Sequence, residues 1–158
     1  MKCDTIFGYG SLVNNKSRCK TIGNRKTKLN IPAYIDKQFG YKKRYNVTHK
    51  NEMVLGLEET KTGSKDVYGL LFDVTNKDVN NLSRREEYYK LKRIPNRYLR
   101  TSKGRKRITS KNVCTFVPKR KYQKSKRSKI PKNVNSKYKN KVTKGFRDYN
   151  MPVFLIRI

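Results

Sequence analysis

Short apolar runs separated by polar and basic segments dominate the chain, and most are rich in the β-branched and aromatic residues that favour strands. The predicted strands are residues 5–9, 29–34, 39–47, 53–58, 66–73, 91–101 and 113–117. The predicted helices are residues 76–89 and 136–149, with a loop or short helix over 14–28. Because strands and helices do not alternate strictly, the pattern favours an α+β fold, with a curved mixed sheet or mixed barrel and a few flanking helices.

The segments between these runs carry further expectations. Residues 60–65 contain the turn signal Thr-Gly-Ser, so the runs 53–58 and 66–73 are predicted to pair as a hairpin. A basic turn around Gly104 is predicted to separate the last two strands, and the Lys-, Ser- and Asn-rich residues 118–135 are predicted to form an exposed loop. The apolar residues 151–158 are expected to close onto the core.

The helix predicted over 76–89 contains a carboxylate on its apolar face. Val79, Leu82 and Glu86 are spaced i, i+3 and i+7, which places them on one side of a helix, whereas Glu87 lies about 140° away from Leu82. A carboxylate on an apolar face is costly unless it is paired or used. From the residues alone, the simpler interpretation is that Glu86 pairs at the surface with a nearby cation. The candidate partners are Arg85, Lys90 and Lys92.

The first predicted strand runs into a glycine-spaced turn, Phe7-Gly8-Tyr9-Gly10-Ser11. Glycines at two positions allow a sharp turn and a close approach of backbone to a ligand. Successive N–H groups in such a turn can form a small anion-binding concavity. The pattern lacks the third glycine of a dinucleotide fingerprint and the Gly-Lys-Ser/Thr of a Walker loop. Taken alone, it also fits a strand that simply ends in a glycine turn.

The 158 residues carry a formal net charge of +30, and 34% of them are hydrophobic. The length predicts one domain over residues 1–158. Residues 88–147 contain no Asp or Glu but 23 Lys and Arg, so the basic excess lies in this C-terminal half. Such a surface favours non-specific, salt-dependent contacts with nucleic acid or another polyanion. An alternative is compositional drift, in which Lys simply fills the surface.

The three cysteines, Cys3, Cys19 and Cys114, form no Cys-x-x-Cys pair. An odd count without a framework favours unreactive thiols in a reducing compartment. The first residues lack the apolar region of a signal peptide, and no apolar run approaches the ~20 residues of a membrane span. These features predict a cytoplasmic protein, with the interior of a virion or another nucleoprotein assembly as the alternative.

Three parts of the chain carry a resemblance to a known family. Phe7-Gly8-Tyr9-Gly10-Ser11-Leu12 resembles the signature loop of the γ-glutamylcyclotransferase-like superfamily, which includes ChaC-type enzymes and γ-glutamylamine cyclotransferases. Leu82-Ser83-Arg84-Arg85-Glu86 is similar to the Leu-Asp-x-Arg-Glu of ChaC proteins, with Ser83 in place of Asp. Residues 130–152, including Ser136-Lys137-Tyr138, resemble the C-terminal elements of γ-glutamylcyclotransferases.

The resemblance implies a γ-glutamyl cyclotransferase that releases 5-oxoproline and a free amine or amino acid from a γ-glutamyl compound. It assigns the catalytic role to Glu86 and needs neither metal nor cofactor. His49 is the only histidine, so a His-based triad is excluded by count. The implied substrate-binding residues are Ile6, Phe7, Gly8, Tyr9, Gly10, Ser11 and Tyr138.

Two functional hypotheses follow from these observations. The glycine turn and Glu86 favour the enzyme, which would act on a γ-glutamyl small molecule. The charge of +30 favours a basic structural or nucleic-acid-associated protein that has the same fold but little or no activity. The sequence leaves open the substrate and the oligomeric state.

Overall fold

The computed structural model describes residues 1–23, 30–49, 52–101, 112–123 and 134–152. The strands are β1 Thr5–Gly8, β2 Asn30–Ile35, β3 Tyr41–His49, β4 Glu52–Glu59, β5 Val67–Asp73, β6 Tyr89–Arg93, β7 Leu99–Thr101 and β8 Val113–Pro118. The helices are α1 Asn15–Ile22, α2 Asn76–Arg85 and α3 Ser136–Asp148. The predicted α+β class is confirmed, whereas the single domain over 1–158 stays a prediction.

A curved six-stranded sheet in the order β6-β8-β1-β5-β2-β7 forms the body of the fold, and β3 and β4 form a second, two-stranded sheet. In the described part of the chain the large sheet has two free ends, so it is a curved sheet and not a closed barrel. β1 lies between a parallel neighbour, β8, and an antiparallel neighbour, β5. Its residues Ile6 and Phe7 are fully buried, so the strand predicted over residues 5–9 lies inside the sheet.

The predicted hairpin between residues 53–58 and 66–73 is wrong. β4 pairs with β3 through a register that includes Tyr45 opposite Leu55, whereas β5 pairs with β1 and β2 in the other sheet. Both runs are almost continuously apolar, so their pattern does not identify their partners. Only two residues separate β3 from β4, and such a short connection joins antiparallel strands directly.

The predicted strand over 91–101 is in fact two strands. β6 pairs with β8, while β7 pairs with β2 at the opposite end of the large sheet. A 3-10 turn over Asn96–Tyr98, which follows Pro95, separates them. Proline has no backbone N–H to donate to a strand ladder, which accounts for the break.

Helix α2 begins as predicted but ends earlier. The Thr75 hydroxyl accepts from Asp78 N–H (3.2 Å), and the Asp78 carboxylate accepts from Thr75 N–H (2.9 Å), which completes a capping box. The helix ends at Arg85 rather than at Tyr89, and Glu86 is its C-cap. Tyr89 instead opens β6 opposite Pro118, because strand pairing with β8 takes over at this point.

Helix α3 confirms the last predicted helix, and it packs against the turn that follows β1. Gly145 lies so close to this turn that an added Cβ would stand 2.7 Å from Asn14 N. The Asn14 side chain donates to the Lys141 carbonyl at 3.0 Å, and Phe146 is fully buried. This contact places the N-terminal half of α3, including Tyr138, beside the glycine turn.

The prediction of three free thiols is wrong, because Cys3 and Cys114 form a disulfide with a Cα–Cα distance of 5.8 Å. Cys3 precedes β1, and Cys114 lies opposite Ile6 on the parallel neighbour β8, so pairing of the strands brings together residues that are 111 positions apart. The inference of a reducing compartment loses its basis, since disulfides persist mainly in oxidising environments. Cys19 is free and partly buried.

Several expectations lie outside the described residues. These are the basic turn around Gly104, most of the loop predicted over 118–135, and residues 153–158 of the apolar end. Met151, at the start of that end, is buried. Among the helices that the structure describes, none has the length and apolarity that crossing a membrane requires.

Candidate active site

A cavity of about 230 Å³ lies where the turn after β1 meets the C-terminal end of α2. This is small relative to typical drug-sized pockets and suits a small metabolite. Strand β4, strand β8 and helix α3 complete its walls. Its lining residues are Phe7, Gly8, Tyr9, Gly10, Ser11, Leu12, Val54, Leu55, Arg85, Glu86, Tyr88, Tyr89, Phe116 and Tyr138.

The glycine turn forms one wall of the cavity. Glycine is required at positions 8 and 10 because neighbouring atoms leave little room for a Cβ. An added Cβ at Gly8 would stand 2.8 Å from Leu12 Cβ, and one at Gly10 would stand 3.0 Å from the Tyr138 hydroxyl. The φ angle of Gly10 is −122°, so a left-handed conformation is not the reason for glycine there. The turn closes by bonds from Val13 N–H to the Gly10 carbonyl and from Asn14 N–H to the Ser11 carbonyl, both 3.1 Å. These bonds use the carbonyls of Gly10 and Ser11 and not their N–H groups.

Glu86 lies in the wall opposite the turn, on the side of α2 that Leu82 shares. Its side chain is only 16% exposed, whereas the adjacent Glu87 is exposed. Burial raises the pKa of the Glu86 carboxyl above its ordinary value, and the positive charge of Arg85 opposes that rise. The helical phase therefore placed Glu86 correctly, although the helix ends one residue before it.

The Arg85 guanidinium connects Glu86 to two other parts of the structure. Its Nε forms an ion pair with Glu86 Oε1 at 3.4 Å. Its Nη atoms donate to side-chain or backbone oxygens of the glycine turn and of α1. These acceptors are Ser11 Oγ (3.0 Å), Ser17 Oγ (2.8 Å), the Ser17 carbonyl (2.7 Å) and Thr21 Oγ1 (3.1 Å).

Two tyrosine hydroxyls form hydrogen bonds with the backbone of β4 where this strand lines the cavity. Leu55 N–H donates to the Tyr138 hydroxyl at 3.2 Å, and the Tyr89 hydroxyl donates to the Leu55 carbonyl at 2.6 Å. Because the Tyr138 oxygen accepts a bond from the backbone, its own O–H proton is the part that can be offered to a ligand. The three residues come from β4, β6 and α3, so the wall forms only in the folded chain.

A third tyrosine, Tyr9, is buried beside this pair and donates from its hydroxyl to the Phe116 carbonyl at 2.5 Å. Burial raises the pKa of Tyr9, Tyr89 and Tyr138 above the ordinary value, and the Glu86 charge adds to the rise in each. All three phenols are therefore neutral at physiological pH, and within the described part of the chain the groups that interact with the Glu86 charge are these neutral hydroxyls and the Arg85 cation.

The structure brings together most of the residues that the sequence had assigned to a site. Phe7, Gly8, Tyr9, Gly10, Ser11, Tyr138 and Glu86 all line the cavity. Phe7, which is equally buried, lines the cavity, but Ile6 does not. Ile6 is a core residue because side chains alternate between the two faces of a strand.

Sequence reasoning missed several contributors. Arg85 was considered as a surface partner of Glu86 and as part of the segment Leu82–Glu86 that carries the resemblance, but no role in the site was assigned to it. Val54, Leu55 and Phe116 had no signal, because nothing in an apolar strand shows which backbone groups will border a cavity.

Comparison with known proteins gives evidence from structure alone. No family model and no curated protein sequence matches the chain. A solved structure described as a γ-glutamyl cyclotransferase superposes with a TM-score of 0.66 and 12% identity, covering 96% of this chain and 82% of that one. A yeast γ-glutamyl cyclotransferase specific to glutathione gives 0.58 and 12%, covering 98% and 93%.

An uncharacterized human protein gives a TM-score of 0.68 at 14% identity, covering 95% of this chain and 82% of that chain. Identities this low establish similarity of fold and leave activity open. The chain therefore has the fold of the γ-glutamyl cyclotransferase structures, with its cavity, glycine turn and buried glutamate as described above.

Proposed function

We propose that the protein is a γ-glutamyl cyclotransferase. The observation that carries the proposal is the position of Glu86, a half-buried carboxylate in the wall of a small cavity that also contains the glycine turn and Tyr138. In the proposed reaction the α-amine of a γ-glutamyl group attacks its own γ-carbonyl. The new C–N bond closes 5-oxoproline, and the bond to the original amine breaks.

Glu86 supplies the proton transfer that this reaction needs. The α-amine arrives as an ammonium ion, so the carboxylate removes a proton before attack and returns one to the leaving amine. An ordinary Glu pKa of about 4.3 is too low for efficient transfer near neutral pH. Burial raises the pKa of Glu86 in the required direction.

The other walls position the substrate and stabilise charge. Both reactants belong to one molecule, so the cavity mainly has to hold it in a folded attack geometry. The N–H groups of the turn over residues 7–11 bind the substrate carboxylate or the oxyanion of the carbonyl, and Tyr138 O–H donates a further hydrogen bond. The proposed steps use neither a metal nor a cofactor. The Cys3–Cys114 disulfide favours an oxidising compartment over the cytoplasm that the sequence predicted.

The test is release of 5-oxoproline by the purified protein from three substrate classes: γ-glutamyl amino acids, γ-glutamyl amines and glutathione. Activity on at least one class, with product forming in a 1:1 ratio with the released amine, is the expected result. If the protein is inert on all three, the proposal of a cyclotransferase is wrong and the fold serves another purpose.

A second candidate function is a polyanion-binding protein, favoured by the basic half of the chain. Helix α3 carries five exposed cationic side chains, of which Lys144 pairs with Asp148 at 2.9 Å, and the sequence contains no Asp or Glu between residues 88 and 147. The five are Lys137, Lys139, Lys141, Lys144 and Arg147. Retention on an immobilised oligonucleotide at low salt and release as salt rises is expected, because counterion release drives such contacts. Retention that does not change with salt would contradict this candidate.

A further inference from the structure

Arg85 is a partly buried cation that lies beside Glu86 in the lining of the cavity. We propose that Arg85 is the positioning residue of Glu86: it holds one carboxylate oxygen and ties it to the glycine turn and to α1, so that the other oxygen is presented to the substrate. The inference rests on the proposed function for its kinetic consequence, but its geometry stands on contacts within the chain.

The hydrogen bonding of Arg85 shows that it serves the protein and not a ligand. A guanidinium has five N–H donors. Four are used in bonds of 2.7–3.1 Å from Nη1 and Nη2 to Ser11, Ser17 and Thr21. The fifth, on Nε, faces Glu86 Oε1 at 3.4 Å. With its four Nη donors engaged within the chain, Arg85 can offer them to a substrate carboxylate only by breaking these contacts.

The same contacts explain why Arg85 fixes the orientation of the Glu86 carboxylate without forming a strong bidentate ion pair with it. A carboxylate held by both Nη atoms in a bidentate pair is strongly stabilised in its charged form. Here the Nη atoms are committed elsewhere, and only the Nε side meets Glu86, through a single oxygen. The carboxylate is therefore oriented by one contact and keeps a second oxygen, Oε2, for proton transfer.

Arg85 also connects the elements that form the cavity. Ser11 belongs to the glycine turn, Ser17 and Thr21 to α1, and Arg85 itself to the last turn of α2. Without the guanidinium, these three elements would lose their shared polar contact at the edge of the cavity. A displacement of about 1 Å at a reacting group can cost roughly 10²-fold in rate.

The groups that face Glu86 define the expected pH effect. They are Arg85 from α2, Tyr9 from the turn, Tyr89 from β6 and Tyr138 from α3. The phenols are neutral in the working range, so Arg85 is the group whose charge lowers the Glu86 pKa against burial. Partial burial lowers the pKa of Lys141, and the positive charges of Arg85 and Lys20 lower it further, so Lys141 is a second cation close to Arg85.

The test compares three variants by the pH dependence of kcat/KM and by 13C NMR titration of the Glu86 carboxyl. Arg85→Gln removes the positive charge, so the Glu86 pKa rises and the acidic limb of the profile moves to higher pH by roughly one unit or more. Arg85→Lys keeps the positive charge but loses the planar guanidinium with its several N–H donors. The acidic limb of the pH profile is therefore expected to stay near its original position, while kcat falls at least about 10-fold. Arg84→Gln is the matched control, because Arg84 is exposed and bonds only to Asn81 Oδ1 at 3.1 Å among the described residues.

The outcomes separate this inference from the proposed function. A shift of the Glu86 titration in Arg85→Gln, absent in Arg84→Gln, supports the inference even if no substrate turns over. If both the titration and the acidic limb stay unchanged in Arg85→Gln, while activity falls only with the folded fraction, Arg85 is a structural tie and the inference is overturned. If Arg85→Gln does not fold, Arg85→Lys decides: an unchanged kcat with the planar guanidinium lost contradicts the positioning role.

Discussion

Glu86 and Glu58 are both largely shielded from solvent, but they lie in different parts of the molecule and differ in how their carboxylates are paired. Glu58 on β4 is 4% exposed and receives Arg44 Nη1 at 2.8 Å, with Lys42 Nζ at 3.9 Å. Glu86 borders the cavity and has a single contact of 3.4 Å to a guanidinium that is engaged elsewhere. Burial alone therefore does not mark a site. Glu86 differs from Glu58 in bordering open space with one longer ion pair among the described residues.

The strand geometry explains the difference. On the β3–β4 sheet, Lys42 lies opposite Glu58 and Arg44 opposite Gly56, so cations one pleat apart reach the same carboxylate. Within the described part of the chain, the negative charge of Glu58 is therefore paired entirely by residues of the β3–β4 sheet. At the end of α2, by contrast, chain direction changes at Glu86, and the neighbouring elements contribute hydroxyls and backbone groups instead of cations. The comparison makes four predictions, in order of decreasing effect.

Glu86→Gln is expected to reduce 5-oxoproline release about 10²–10⁴-fold, because it removes the general base while keeping the side-chain shape. Its stability at pH 7 is expected to be equal or higher. Because the pKa of Glu86 is raised in the folded protein, the free energy of unfolding decreases as pH rises above about 4.3, the pKa of Glu in the unfolded chain. Gln does not titrate, so the variant does not lose this stability. Glu87→Gln, exposed and off the cavity, is the control for activity and melting temperature. If Glu87→Gln is the more damaging change, the catalytic assignment is wrong.

Replacing both Cys3 and Cys114 by Ser is expected to lower the free energy of unfolding by about 2–4 kcal/mol, since the bond closes a loop between residues 111 positions apart. Activity per folded molecule is expected to be retained, because the bond supports β1 and β8 without lining the cavity. Urea unfolding of the variant and of the oxidised parent measures this difference. Cys19→Ser is the control, and equal unfolding midpoints for all three proteins would contradict the prediction.

Glu58→Gln is expected to lower the free energy of unfolding by about 1.5–3 kcal/mol, because Arg44 loses a charged hydrogen-bond partner in a largely buried position. In contrast to Glu86→Gln, kcat/KM per folded molecule is expected to stay within about twofold of the parent. Thermal unfolding and the 5-oxoproline assay on the same preparation measure both quantities. A large loss of kcat with unchanged stability would end the distinction between the two glutamates.

The smallest effects are expected within the wall that faces Glu86. Tyr138→Phe leaves Leu55 N–H without its partner, which costs about 1 kcal/mol of stability, and removes a donor worth roughly 10-fold in rate. Gly10→Ala places a methyl 3.0 Å from the same hydroxyl and is expected to have a similar effect. The double variant should then be no worse than Gly10→Ala alone. Fully additive losses in a double-mutant cycle would show that the two residues act separately.

Several features of the fold and site could be predicted from local sequence. The capping box at Thr75 and Asp78, the position of most strands and the inward phase of Glu86 depend on neighbours within a few residues. The residue types also predicted a strand over residues 5–9, and the structure has β1 there, from Thr5 to Gly8. Gly8 and Gly10 indicated that another group approaches the backbone of this turn closely, but the sequence did not identify Leu12 and Tyr138 as those groups.

The remaining features depended on contacts between distant parts of the chain. The sequence by itself determined which segments form strands and helices, where the charge lies, and which side of α2 bears Glu86, because backbone propensity and side-chain periodicity are local. Only the tertiary structure decided that β5 pairs with β1 and β2, that Cys3 meets Cys114, that Tyr138 reaches Gly10, and that Arg85 joins Ser11 to Glu86. Each of these depends on strand order and helix packing, which no local pattern specifies.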